Sequence, residues 1–168
     1  HPLHDAYWRS KDVDLEAIEV PAYVVASWSD HGLHTRGTIE AWRRMASRRK
    51  WLEIHGQKKW AHYYRPESRA KQAAFFDRFL KGIDSGIDDW PPVSIEVRDS
   101  ARVSEIRAED EWPLARTEYR PLHLDAAAGA MSEAAVTAES AVRYDPLSEG
   151  GEAVFNYPFD KDTELTGY

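Results

Sequence analysis

The 168-residue sequence predicts an α/β fold followed by an all-β segment: the end of a wound parallel sheet in the order βαβα, then the first strands of a β-sandwich of jelly-roll type. Three observations carry this. Residues 22–28 form a nearly unbroken apolar run, as expected for a parallel strand covered on both faces. Helical apolar stripes follow that run and the next strand-like run at 50–54. After a Gly-, Asp- and Pro-rich connection at 81–92, the helical period gives way to alternation with period two.

Each element has its own reason. Pro21 stands at the start of the first strand, where a missing N–H is tolerated, and the run ends at Asp30. Ile39, Trp42, Met45 and Ala46 recur at helical spacing, with Arg43, Arg44, Arg48 and Arg49 largely off that stripe. Residues 50–54 read as the second strand, which ends at His55. Pro66 and Glu67 suit a first helical turn; Ala73, Phe76, Phe79 and Leu80 line one face, and Lys81-Gly82 supplies the stop. Two parallel strands joined this way take a right-handed crossover. Beyond Pro91-Pro92, residues 93–98 alternate, and 119–124, 138–144 and 153–157 are further short β-compatible stretches. The Ala-rich stretch 126–138 favours helix by composition, but Gly129 and the lack of an apolar stripe favour a loop at least as much.

Composition divides the chain at the same connection. Residues 1–90 carry 15 Lys and Arg against 13 Asp and Glu, whereas residues 91–168 carry 7 against 16, so the charge passes from +2 to −9. Six of the seven tryptophans lie in the first part. We place a domain boundary near residue 90, giving segments 1–90 and 91–168. The net charge of −7 argues against a nucleic-acid or anionic-membrane partner, because both are bound chiefly through clustered basic residues. No apolar run approaches the roughly 20 residues that span a bilayer. The absence of cysteine removes disulfides, thiolate catalysis and zinc ribbons, and it leaves the compartment open, with the cytoplasm as the expectation.

The candidate chemistry lies at two strand ends. A carboxylate, Asp30, follows the first strand and an imidazole, His55, follows the second; acid then base is the closing half of an α/β-hydrolase triad. The nucleophile is missing: no G-x-S-x-G occurs, and Ser85 lies between misplaced glycines with no strand before it. His62 is the alternative base. His55 is favoured, because a residue directly beyond a strand end is held rigidly over the carboxyl edge of the sheet. Each residue also has a bland reading. Asp30 suits a turn or the N-cap of the next helix. Asp30, His31 and His34, or His1 and His4, are too few for a divalent-metal site, so no metal and no cofactor is expected. The basic run 43–50 reads as a solvated helix face, and the Trp and Tyr residues between 51 and 64 read as core packing rather than ligand stacking.

Several blocks carry a resemblance. Trp28-Ser29-Asp30, Lys50-Trp51-Leu52-Glu53-Ile54-His55-Gly56 with Lys59-Trp60, Tyr63-Tyr64, Phe75-Phe76-Asp77, Phe79-Leu80-Lys81-Gly82 and Pro91-Pro92-Val93 resemble the CocE/NonD hydrolases, relatives of X-Pro dipeptidyl-peptidases and cocaine esterase. His1-Pro2-Leu3-His4-Asp5-Ala6-Tyr7-Trp8 resembles the segment before the acid-bearing strand. Trp112-Pro113, Leu122-His123-Leu124-Asp125 and Asp162-Thr163-Glu164-Leu165-Thr166-Gly167 resemble the start of that family's C-terminal jelly roll. The resemblance implies a serine hydrolase of esters, amides or short peptides. Asp30 would match the triad acid and His55 the base, with the serine, most of the sheet and the cap upstream of residue 1. Cocaine esterase-like members carry the base in a Trp-x-His block, which would select His62 from Trp60-Ala61-His62. The subgroup this chain most resembles has it in His-Gly-x-x-Lys-Trp. Relatives commonly associate, so a homo-oligomer is compatible. The alternative is a non-catalytic module whose jelly-roll half recognises a carbohydrate, peptide or partner while Asp30 and His55 are structural.

Overall fold

The computed structural model describes residues 3–100 and 103–166. In chain order the elements are α1 (Ala6–Arg9), β1 (Ala22–Ser27), α2 (Thr35–Arg44), β2 (Lys50–His55), α3 (Lys59–Tyr63), α4 (Pro66–Lys81), β3 (Val93–Arg98), β4 (Ser104–Glu109), β5 (His123–Asp125) and β6 (Ala130–Ser132), with 3₁₀ turns at Leu15–Ala17, Trp28–Asp30 and Ile87–Asp89. Described residues up to Ala115 form one compact unit and those from Arg116 form another.

The first unit holds a four-stranded sheet in the order β1-β2-β3-β4. β1 and β2 are parallel, with Ala22 opposite Lys50 and Ser27 opposite His55; β2 and β3 are parallel, and β4 is antiparallel to β3. Side chains alternate across β2, so Leu52 and Ile54 leave one face while Trp51, Glu53 and His55 leave the other. On the first face Ile39 and Trp42 of α2 pack with Leu52, Ile54, Val93, Ile95, Trp112 and Leu114. On the second, Phe75 and Phe79 of α4 meet Tyr23 and Trp51. Both faces of β2 are therefore covered, whereas β1 is an edge strand whose apolar run is buried only at Ala26 and Ser27 and leaves Val25 39% exposed.

Local chemistry sets the helix ends. Thr35 Oγ1 donates to the Ser27 carbonyl at 2.6 Å, tying the start of α2 to the end of β1. α2 stops at Arg44, short of the expected Ala46, because Met45 is extended and the Lys50 ammonium donates to the Trp42, Arg43 and Met45 carbonyls at 2.8, 3.2 and 2.8 Å. The four arginines of the basic run 43–50 are exposed, as a solvated face requires, with Arg43 paired to Glu40 and Arg49 to Asp88 at the surface; Lys50, which caps the helix, is half-buried. α4 has Pro66 in its first turn and ends at Gly82 with φ 70°, the left-handed value that lacks a Cβ penalty in glycine.

β1, α2, β2, α4 and β3 lie where the periodicity placed them. β3 nevertheless continues the parallel sheet across the composition shift near residue 90, and β4, which joins its edge antiparallel, has no counterpart in the sequence expectation. In the second unit the outcome is sparser. β5 and β6 pair antiparallel, and Ala130 bridges Asn156, but residues 138–144 form no strand and 153–157 contribute only that bridge. The Ala-rich stretch holds a turn and β6 rather than a helix. Asp125 Oδ1 accepts from the Ala127 and Ala128 N–H groups at 2.9 and 3.1 Å, and Gly129 takes φ 62°, so the local turn outcompetes alanine's helix preference.

Candidate active site

The two parallel strands deliver Asp30 and His55 to the same rim. Both line one cavity of about 570 Å³, together with Lys59, His62, Tyr63 and Phe76. Asp30 closes the 3₁₀ turn after β1. It does not cap α2, whose N-cap is His34; its Oδ2 instead lies 3.1 Å from Lys59 Nζ. Among the described residues no hydrogen bond joins Asp30 to His55.

His55 ends β2 and is 3% exposed. Its Nδ1 accepts the Gln57 N–H at 3.1 Å, and its ring lies flat on that of His62, with centroids 3.6 Å apart and planes inclined by 10°. Burial, then the neighbouring His62, bring its pKa down to about 4, against the opposing pull of Glu53 and Glu96. At neutral pH His55 is an uncharged imidazole, the form a general base requires.

The turn carrying His55 is held from two sides. Gln57's carbonyl accepts from Ser27 Oγ at 2.6 Å and Ser29 Oγ at 2.7 Å, joining it to the turn of Asp30. Gly56 N–H donates to Glu96 Oε2 at 2.7 Å, and the Gly56 carbonyl accepts from Arg98, which also meets Glu96 Oε1 at 3.1 Å. A Cβ at position 56 would run into the Arg98 guanidinium, which would have to swing away to admit it. Trp28 Nε1–H donates to the Glu96 carbonyl at 2.8 Å. One residue of β3 therefore binds both turns.

Behind His55 lies a polar group that the sequence reading missed. Glu53 accepts from Tyr23 Oη at 2.5 Å and Lys71 Nζ at 2.6 Å, and its Oε1 lies 3.0 Å from His62 Nε2. Burial works to raise the Glu53 pKa, but the Lys71 and Tyr23 hydrogen bonds and the nearby charges hold it below the usual range; burial and the adjacent carboxylate push Tyr23 upward. The available signal was a lone carboxylate inside an apolar strand, two residues before the histidine. A second correction concerns the aromatics: Trp51 is core, but Trp60, Tyr63 and Tyr64 are exposed and form a cluster on α3 and just beyond it, because this one-and-a-half-turn helix turns only His62 inward.

The remaining histidines do not converge. His4 meets Asp12 at 3.1 Å on the surface, His31 stacks on Trp28, and His34 lines the cavity. His1 lies outside the described residues. Among those described, no group of three or more His, Asp or Glu side chains is placed to hold a metal, and no helix is long and apolar enough to cross a membrane.

Residues 85–168 match the family model of the X-Pro dipeptidyl-peptidase C-terminal non-catalytic domain. Two crystal structures of a CocE/NonD family hydrolase from Staphylococcus aureus are similar at 38% identity and TM-score 0.84, over 96% of this chain and 29% of theirs. The chain thus spans under a third of the length of those relatives. Comparison with curated proteins gives no match. Asp30, His55 and His62 all precede the matched non-catalytic segment, and the chain, similar in structure to a CocE/NonD family hydrolase, belongs to the X-Pro dipeptidyl-peptidase C-terminal domain family.

Proposed function

We propose that this chain supplies the acid and the base of a serine hydrolase acting on esters, amides or short peptides. Residues 1–90 are read as the end of an α/β-hydrolase catalytic domain and 91–168 as the start of its jelly-roll domain. The nucleophilic serine belongs to the part of a relative-length protein that this chain does not span. The observation that supports the reading is the delivery of Asp30 and His55, from adjacent parallel strands, to one cavity rim. In the reaction His55 takes the serine proton and returns it to the leaving group, while Asp30 accepts from Nδ1–H and stabilises the imidazolium. For that role Nδ1 must leave the Gln57 N–H and carry a proton, and Lys59 must share the Asp30 carboxylate.

The test is hydrolysis of p-nitrophenyl esters and X-Pro p-nitroanilides by a relative-length protein carrying this chain. Asp30→Asn and His55→Ala should each cost on the order of 10³-fold or more in kcat, and the 168-residue chain alone should show no turnover. Activity surviving His55→Ala within tenfold would remove the reading. One observation favours a second reading, a non-catalytic interaction module: Asp30 and His55 each hold another partner, Lys59 and Gln57, as structural residues would. In that case neither substitution changes hydrolysis, and both lower stability.

A further inference from the structure

Glu53 and His55 stand two residues apart on β2 and leave the same face of the sheet. His62 reaches both, bonding Glu53 through Nε2 and lying flat on His55. The carboxylate that holds His62 is gripped from three elements, by Tyr23 of β1, Lys71 of α4 and His62 of α3. No step of the proposed reaction uses it. A buried charged cluster carries a desolvation cost, so its retention beside one particular ring calls for a role in arranging that ring. His62 Nδ1 is moreover buried with no partner among the described residues, so the contact with Glu53 is made through one nitrogen while the other is left unsatisfied beside His55.

We propose that Glu53 and His62 are a positioning pair for the His55 imidazole: Glu53 anchors the His62 ring, and that ring, packed face to face, fixes the plane of His55 and opposes its premature protonation. The inference rests on His55 being the base. A proton arriving on His55 places a charge at stacking distance from a second imidazole in a poorly solvated site. The other ionisable groups around His55 are Glu53 on its own strand and Glu96 and Arg98 on β3; Asp30, His34 and Lys59 share the cavity. His62 and Arg98 disfavour the imidazolium, whereas Glu53 and Glu96 favour it.

Histidine-selective NMR titration of the 168-residue chain tests this without needing activity. His62→Gln keeps a donor for Glu53 but removes the stacked ring, and should raise the His55 midpoint by about one pH unit or more. His62→Phe keeps the flat ring without its ring nitrogens and should give a smaller rise, and it serves where the glutamine variant does not fold. A His55 midpoint unmoved, to within about 0.3 unit, in a folded variant overturns the proposal. In the relative-length protein His62→Gln should move the acid limb of kcat/KM upward by the same amount, with KM unchanged and the alkaline plateau retained within about tenfold. A plateau lost as completely as in His55→Ala would make His62 the base and also overturn it. Survival of activity in His55→Ala would instead sink the catalytic reading and leave the titration result standing.

Discussion

Gly56→Ala isolates the contact that holds the turn of His55. Gly56 is not among the glycines with positive φ, so alanine meets no backbone strain there. What it meets is the Arg98 guanidinium, the far end of a flexible side chain that can swing away at the cost of its bonds to the Gly56 carbonyl and Glu96. These bonds are charge-assisted, but the Arg98 side chain is 37% exposed, which discounts them to about 1–2 kcal/mol together. Gly→Ala also stabilises by about 0.4–1 kcal/mol through the unfolded chain. The single variant should therefore lose about 1 kcal/mol. In an Arg98→Ala background the same substitution should be neutral or stabilising, a change of sign that urea denaturation followed by tryptophan fluorescence can read as a double-mutant cycle. If Gly56→Ala costs as much without Arg98 as with it, the packing argument is wrong.

Acid should destabilise the chain well before its carboxylates titrate. His55 binds its proton near pH 4 when folded and near 6.5 when unfolded, so the unfolded chain takes up the proton first. Stability is complete above about 6.5 and falls as the pH drops to 4, by roughly 3 kcal/mol from this group alone. Glu53 and Glu96, both held below the ordinary carboxylate range, extend the loss to lower pH. Thermal melts between pH 7 and 4 check this, and a flat Tm contradicts it. Lys50→Met keeps the aliphatic stem but takes the ammonium from three carbonyls at the end of α2. It should cost about 1–2 kcal/mol and speed amide exchange in the last turn of that helix. Unchanged exchange there would show the cap to be ornamental.

The parts of the fold that were legible in the sequence are those where burial imposes a period. β1, β2 and β3 announce themselves because apolar side chains repeat where a covered sheet demands them, and α4 because its face, its first-turn proline and its terminal glycine agree. β4 was silent: Ser104-Glu105-Ile106-Arg107-Ala108-Glu109 is an edge strand whose apolar residue, Ile106, is 66% exposed, so pairing to β3 rather than burial makes it a strand. The second unit misled for the opposite reason. Its β-branched and aromatic residues between 136 and 159 are mostly exposed, so local propensity had no burial to reinforce it. At the site, Asp30 and His55 were visible because strand ends are marked by a change of residue type. Their partners were not, since Lys59 and Gln57 reach them through turns and Glu96 holds those turns from a neighbouring strand, and no linear pattern encodes such contacts.

Residues 85–168 match a domain described as non-catalytic, yet Glu96 and Arg98 lie inside it and grip the Gly56 backbone beside the candidate base. The Glu96 carbonyl meanwhile receives Trp28, two residues before the candidate acid. A residue need not touch a substrate to be required by a site; it needs to hold, with bonds that cannot be made from elsewhere, the backbone on which the reacting groups are mounted. β3 is hydrogen-bonded to β2 in the parallel sheet, so a displacement of β3 is transmitted directly to the turn of His55. The composition boundary and the mechanical boundary are therefore different things in this chain. Cutting at residue 90 would leave both candidate residues in place and remove the clamp that orders them, so residues 1–90 alone should not reproduce the His55 titration of the longer chain.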